Sequence, residues 1–207
     1  MLNQPTLLSS AGLFILVYLG LLTLSLYFGN DYIRHMLPLY RWVILHLTQD
    51  YQIENLTLAD NRGEGIVSLT LLTQYSVLGK QVIPPGVSIS CSTLAGHAFQ
   101  HPLLTLSLVF AWPASMTAQR IVRLCFALPF MLLLELLDIP LILLGSAQDL
   151  LMANFSPENY SIMIEWMNFM NGGGRPALSL SFAIMAVACS NFFSPVSIGN
   201  PKNNRPY

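Results

Sequence analysis

Four long apolar runs constrain the fold of this chain more than any other feature. They cover residues 11–28, about 93–112, about 122–144 and about 177–193. A helix needs about 20 apolar residues to cross roughly 30 Å of hydrocarbon, and each run reaches or approaches that length. Only 9% of the residues are charged, whereas a soluble domain carries roughly 25%. The sequence therefore predicts an α-helical integral membrane protein with about four spans.

The first run is interpreted as an N-terminal membrane anchor comprising residues 1–28. A cleaved signal peptide is the alternative, but it requires a basic leading segment and a cleavage site with small residues. The leading segment MLNQPTLLSS has no lysine or arginine, and SLYFGNDY at 25–32 offers no such site. We therefore expect the anchor to be retained.

The distribution of basic residues predicts the orientation. Arg120 and Arg123 lie in the short connection before the third run, and Lys202 and Arg205 lie in the C-terminal tail. Under the positive-inside rule both places are cytoplasmic, so both termini are expected inside. The net charge of −1 gives no reason to expect a nucleic-acid partner.

Residues 29–92 are predicted to form an outer α+β domain between spans 1 and 2. Its first part has apolar residues at helical spacing and indicates a short amphipathic helix that is broken or begun at Pro38. Two strand-like stretches then flank ADNRGEG at 59–65, which indicates a β-hairpin because Asn, Asp and Gly favour turns. A further edge strand is expected after the turn residues 84–86.

The remaining chain, 93–207, is predicted to be a membrane bundle of about three spans. An interfacial helix is expected near 156–170, with Ser156 as its N-cap, Pro157 in its first turn and Gly172 at its C-cap. Trp166 would then lie at headgroup depth, in the outer interface. Packing of this helix on the hairpin domain is the alternative.

Cys91, His97 and His101 are the first candidate for chemistry. A helix starting near Ser92 would place Cys91 at its N-terminus, where the helix dipole favours a thiolate. His97 and His101 are four residues apart and would share a helix face, which permits metal binding but supplies only two ligands. The alternatives are a partly buried free thiol and two interfacial histidines that bind carbonyls or headgroups.

Glu135 and Asp138 are the second candidate, because they lie inside the third apolar run, on one helix face. A carboxylate in hydrocarbon is costly unless it is paired, so such residues are usually functional or mutually satisfied. The basic residues within reach are Arg120, Arg123 and Arg175, or those of a partner protein. A structural or partner-binding role is favoured over a proton or ion pathway.

Residues 86–145, which contain VSISCSTLAGHAFQHP and the two following spans, resemble the exosortase and archaeosortase membrane transpeptidases. The resemblance rests on Cys91 and Ser92 and on the order of spans, and it implies a bacterial inner-membrane protein that acts on surface proteins with a C-terminal sorting signal. In that family Cys, Arg and His form the catalytic set. Here Thr93 replaces a glycine, Glu135 and Asp138 replace an asparagine and an arginine, and no histidine follows His101.

These differences make the chain most similar to a non-catalytic, exosortase H-associated membrane protein. The resemblance implies an accessory or assembly subunit without a cofactor, whose partner is an integral membrane protein such as an exosortase-type enzyme. The intramembrane acids would pair with basic residues of that partner. Two alternatives stay open: a diverged cysteine transpeptidase or peptidase that uses Cys91 with His97 or His101, and a metal-binding subunit that uses the two histidines.

Overall fold

The computed structural model describes residues 7–48, 51–74, 76–78, 81–114, 117–155, 158 and 160–193. Five α-helices and five strands follow one another along these residues. In chain order they are α1 Leu7–Leu47, β1 Tyr51–Asn61, β2 Glu64–Thr73, β3 Ser76–Leu78, β4 Gln81–Ile83, β5 Ser88–Leu94, α2 Gly96–Ala111, α3 Thr117–Phe155, α4 Ile162–Phe169 and α5 Arg175–Phe193.

Three helical segments are long and apolar enough to cross a membrane: Leu8–Leu47, Ala118–Phe155 and Ile162–Phe193. The chain is thus a mostly helical protein that combines these three helical segments with a small three-stranded sheet. The second predicted span, about 93–112, corresponds to α2, which has 16 residues and is about 24 Å long at 1.5 Å per residue. It runs beside the other three but is shorter than they are.

Helix α1 does not end where the sequence predicted. The anchor was expected to stop at residue 28 and a separate amphipathic helix to follow, but one continuous helix runs to Leu47 with Pro38 inside it. Ile33, Tyr40 and Ile44 of its second half are fully buried. Burial of this face stabilises a helix that proline alone would interrupt, and Asp31 and Arg34 remain on its exposed side.

The three-stranded sheet has the order β1-β2-β5, and all its neighbours are antiparallel. The turn between β1 and β2 has Arg62 and Gly63 at φ 58° and 87°, as a two-residue hairpin turn of the primed type requires. The Asp60 carboxylate accepts a hydrogen bond from the Gly63 amide at 2.8 Å. The hairpin is therefore determined by local turn chemistry.

One face of the sheet packs on the second halves of α1 and α3. The buried side chains of β2 are Val67, Leu69 and Leu71, and they contact residues of both helices in one continuous core. The first half of α3 packs with α2 and α5, whereas the first half of α1 is largely exposed and packs on α2. Each long helix therefore belongs to two layers, an apolar helical layer and a sheet layer.

The region after α3 differs from the predicted interfacial helix. Ser156 and Pro157 lie outside the described residues, and the N-cap of α4 is Ser161, whose hydroxyl accepts from the Met163 amide at 3.2 Å. The glycine that interrupts the helical conformation is Gly173 and not Gly172. A kink occurs at Gly173, whose φ of 112° favours glycine.

Helix α4 packs closely on α3. A Cβ atom at Gly145 would lie 2.6 Å from the Met163 carbonyl oxygen and 2.9 Å from Met167 Cβ. The indole of Trp166 donates a hydrogen bond to the Leu137 carbonyl at 2.7 Å. The apolar face of α4 is thus directed mainly at α3.

Candidate functional site

Cys91 lies in the middle of β5, and its side chain points into the core, with 8% of its surface exposed. Its thiol donates to the carbonyl of Leu143 at 3.3 Å, and a longer contact of 3.8 Å reaches the carbonyl of Leu69. The expected position at a helix N-terminus is wrong, because α2 begins only at Gly96. Burial raises the pKa of the Cys91 thiol to about 12, so at neutral pH the group is a thiol and not a nucleophilic thiolate.

A buried polar cluster, which we call the Asp138 hub, joins α2, α3 and α5. The Asp138 carboxylate lies 2.8 Å from His101 Nε2, and Arg175 Nε lies 3.0 Å from each of its oxygens. His101 and Asp138 have no exposed surface and Arg175 has 4%. An unpaired carboxylate in an apolar run would be costly to bury, and Asp138 is paired with an arginine and a histidine from two other helices.

Further hydrogen bonds extend the hub. The Ser179 hydroxyl lies 3.0 Å from His101 Nδ1 and donates to the Arg175 carbonyl at 2.9 Å. Arg175 Nη1 donates to the Asn171 side chain at 3.2 Å, and Thr105 donates to the Ser179 carbonyl at 3.3 Å. Both ring nitrogens of His101 are thus engaged, and the ring is held between α3 and α5.

The order Ser179–His101–Asp138 matches the contact order of a serine-hydrolase triad. A triad needs a nucleophile that a substrate carbonyl can approach. All three residues are completely buried, and the serine hydroxyl is already directed at a backbone carbonyl. In this conformation the arrangement joins helices and gives a substrate no access.

Glu135 occupies a second buried position, one turn before Asp138 on α3. Its Oε1 accepts a hydrogen bond from the hydroxyl of Tyr40 on α1, and 1% of the residue is exposed. Its Oε2 has no hydrogen-bond partner within the described part of the chain. Both acids are thus enclosed by this chain's own helices, which does not fit the expectation that they face the basic residues of a partner.

The two arginines expected at the inner end of α3 do not reach the acids. Arg123 is 2% exposed and donates to the carbonyls of Trp112 and Pro113 at 3.1 and 3.0 Å, and to Asn191 at 3.4 Å. Arg120, one turn earlier, is half-buried. Arg123 therefore closes the turn between α2 and α3 instead of neutralising a carboxylate.

His97 lies one turn before His101 but in a different environment. It is half-buried, with its Nδ1 3.4 Å from the Thr93 hydroxyl. Joint metal binding by the two histidines would require His101 to release Asp138 or Ser179. Among the residues that the structure describes, no group of three or more His, Cys, Asp or Glu side chains is arranged to hold a metal ion.

Four residues that contact Glu135 or extend the Asp138 hub were absent from the sequence-based candidates: Tyr40, Thr105, Asn171 and Ser179. Tyrosine, threonine, asparagine and serine are unremarkable in helices, so their types alone give no signal. The spacing of Arg175 and Ser179 at i and i+4 places them on one face of α5, which would have linked Arg175 to Ser179.

The chain matches no protein-family model, no curated protein and no solved structure.

Proposed function

We propose that this protein is a non-catalytic accessory subunit of a membrane complex. Its helices hold a small sheet domain at the membrane surface, where the domain contacts the partner or its substrate. The exposed face of the sheet carries uncharged hydroxyl side chains, including Ser90 and Ser92 on β5 and Thr57 on β1. Such a face suits contact with a polypeptide that lies against it.

One observation carries this proposal: the groups that a membrane thiol transpeptidase needs are not assembled together. Cys91 is directed at two carbonyl groups and has no histidine among its hydrogen-bond partners. His101 and Arg175 both bind Asp138 instead. A thiolate requires a nearby cation or base. We therefore infer that these contacts stabilise the fold and do not activate the Cys91 thiol.

The complex that we propose is a bacterial inner-membrane protein-sorting system of the exosortase type, with both termini of this chain in the cytoplasm. Support for this setting comes from the resemblance of residues 86–145 and from the basic residues at 120 and 123. The partner would be the sorting enzyme itself, which supplies the catalytic cysteine, arginine and histidine.

The test is deletion of this chain in its native host, combined with purification of the host's exosortase-type enzyme in mild detergent. We expect surface proteins with a C-terminal sorting signal to accumulate uncleaved, and the tagged chain to co-purify with the enzyme. Normal cleavage in the deletion strain, or an enzyme that purifies without this chain after cross-linking, would contradict the proposal.

The metal-binding alternative has its own measurement. Elemental analysis of the purified full-length chain, compared with the His97→Ala variant, tests whether the histidine pair binds zinc or copper. One metal ion per chain that is lost in the variant would replace the accessory proposal with a metal-binding one. Equal metal content in the two proteins would show that His97 does not bind zinc or copper.

A further inference from the structure

An apolar groove lies between the first halves of α1, α2 and α3, on the membrane side of the Asp138 hub. Its volume is about 350 Å³, and its walls include Leu21, Leu24 and Phe28 of α1, Leu103 and Leu106 of α2, and Met131 of α3. This volume is within the range of pockets that bind small ligands.

The side chains that line the groove favour an apolar ligand. The hydroxyl of Ser25, a lining residue, already donates to the Leu22 carbonyl at 2.8 Å. At one end the ring of Phe99 packs against Gly29, where a Cβ atom would lie 2.6 Å from Phe99 Cζ. Tyr32 stands at the same end, with its ring centroid 5.9 Å from that of Phe99.

The length of the groove matches one leaflet of a bilayer. Tyr32 lies eleven positions after Leu21 on α1, which is about 16 Å at 1.5 Å per residue, and half of a hydrocarbon core is about 15 Å. Leu24 and Phe28 are 53% and 59% exposed, so the groove opens sideways along the apolar surface of α1. Asp31 and Arg34 form an exposed ion pair beside Tyr32. This pair marks the depth along α1 at which charged side chains begin.

We propose that this groove binds one acyl chain of a phospholipid from the leaflet on the side of the sheet. The chain would lie between α1 and the pair α2–α3, with its headgroup near Asp31 and Arg34. A bound acyl chain fills a space that water would occupy unfavourably, and it attaches the sparsely packed first half of α1 to the rest of the bundle. This lipid site is independent of the proposed accessory function.

The experiment uses the purified full-length chain in phosphatidylcholine vesicles that contain a phosphatidylcholine with a photoreactive diazirine in the middle of one acyl chain. After irradiation, adducts are located by peptide mass spectrometry. We expect adducts on Met131 inside the groove and on Ile184, which is 46% exposed on α5 and reports ordinary lipid contact.

Two variants fill the groove from opposite walls, Ser25→Phe and Leu106→Phe, and Leu16→Phe is the matched control on the exposed surface of α1. We expect both filling variants to lose the adduct on Met131 and to keep the adduct on Ile184, while the control keeps both. Size-exclusion elution at the wild-type position shows that each variant is folded, and Ser25→Phe changes a position where α1 has few neighbours.

Two results would overturn the proposal. One is a wild-type chain labelled on Ile184 but not on Met131. The other is labelling of Met131 that persists in folded Ser25→Phe.

Discussion

Asp138 is the residue on which three helices converge, and its contacts give the most direct prediction at the scale of single side chains. Its carboxylate is enclosed between His101 and Arg175 without exposed surface. Removal of the Asp138 carboxylate leaves the Arg175 guanidinium buried without its partner. A buried pair that loses one partner typically loses about 3–5 kcal/mol of stability.

We therefore expect Asp138→Asn to lower the free energy of unfolding by about 3 kcal/mol or more, measured by thermal or denaturant unfolding in detergent. Asp149→Asn, an exposed acid on the same helix, is the matched control and should have little effect. Joint replacement of His101, Asp138 and Arg175 by apolar residues should cost less than Asp138→Asn alone. If Asp138→Asn and Asp149→Asn lowered the free energy of unfolding equally, the contacts of the Asp138 hub would not contribute to stability.

The thiol of Cys91 gives a second prediction at this scale. Its pKa is raised from 9.0 to about 12 by burial, so the folded protein holds the neutral thiol and the associated stability is present below pH 9. That contribution is lost as the pH rises from about 9 towards 12. In a chain that carries Asn61→Cys in the exposed hairpin, we expect N-ethylmaleimide to modify the introduced cysteine at pH 7–9 and to modify Cys91 only after unfolding. Modification of Cys91 in the folded chain at a rate like that of the introduced cysteine would indicate an accessible thiolate.

The sequence revealed some of these residues and not others for a physical reason. Charged residues in apolar runs stand out because their burial is costly, and this identified Glu135 and Asp138, with Arg175 as one of three candidate partners. Which arginine reaches Asp138 depends on the rotation and depth of the helices, which the sequence does not specify. The core position of Cys91 follows from strand alternation with the exposed Ser90 and Ser92, but a predicted helix start obscured it.

At the scale of elements, the contact between α3 and α4 depends on the missing side chain of Gly145. We expect Gly145→Leu to displace α4, since its Cβ atom alone would overlap the Met163 carbonyl. Trp166 would then lose its hydrogen bond to Leu137, which tryptophan fluorescence detects in a background with Trp42 and Trp112 replaced by phenylalanine. Gly172→Leu has open space around it and is the control. An unchanged Trp166 spectrum in Gly145→Leu would show that α4 does not depend on this contact.

Predictability from sequence also differs between elements. The β1–β2 hairpin was expected because its turn residues act locally, through Asp60, Arg62 and Gly63. The continuous α1 was not expected, because the burial of Tyr40 and Ile44 that stabilises it comes from the sheet and from α3. The kink at Gly173 depends in the same way on how α4 and α5 are each held.

At the scale of the whole molecule, the two-layer arrangement predicts which ends lie on the same side of the membrane. α1 and α2 run antiparallel, since Leu21 and Leu106 line one end of the groove and Gly29 and Phe99 the other. The start of α1, the Arg123 turn and the end of α5 therefore lie at one end of the bundle. The sheet lies at the opposite end.

We expect Asn61→Cys in the hairpin turn and Ala118→Cys at the start of α3 to be labelled from opposite sides. Each is introduced into a chain whose three natural cysteines are replaced, and a membrane-impermeant maleimide is applied to intact spheroplasts and to inverted vesicles. Asn61→Cys should react in spheroplasts and Ala118→Cys in inverted vesicles. Labelling of both positions from the same side would be incompatible with this arrangement.

Complementation of the deletion strain by Cys91→Ala and by Asp138→Asn distinguishes an accessory subunit from a thiol enzyme. Cleavage of a surface protein with a C-terminal sorting signal is the readout, and the amount of each variant in the membrane is quantified. For an accessory subunit we expect normal cleavage with Cys91→Ala, and reduced cleavage with Asp138→Asn in proportion to its lowered abundance. Loss of cleavage with Cys91→Ala at wild-type abundance would instead identify this chain as a thiol enzyme.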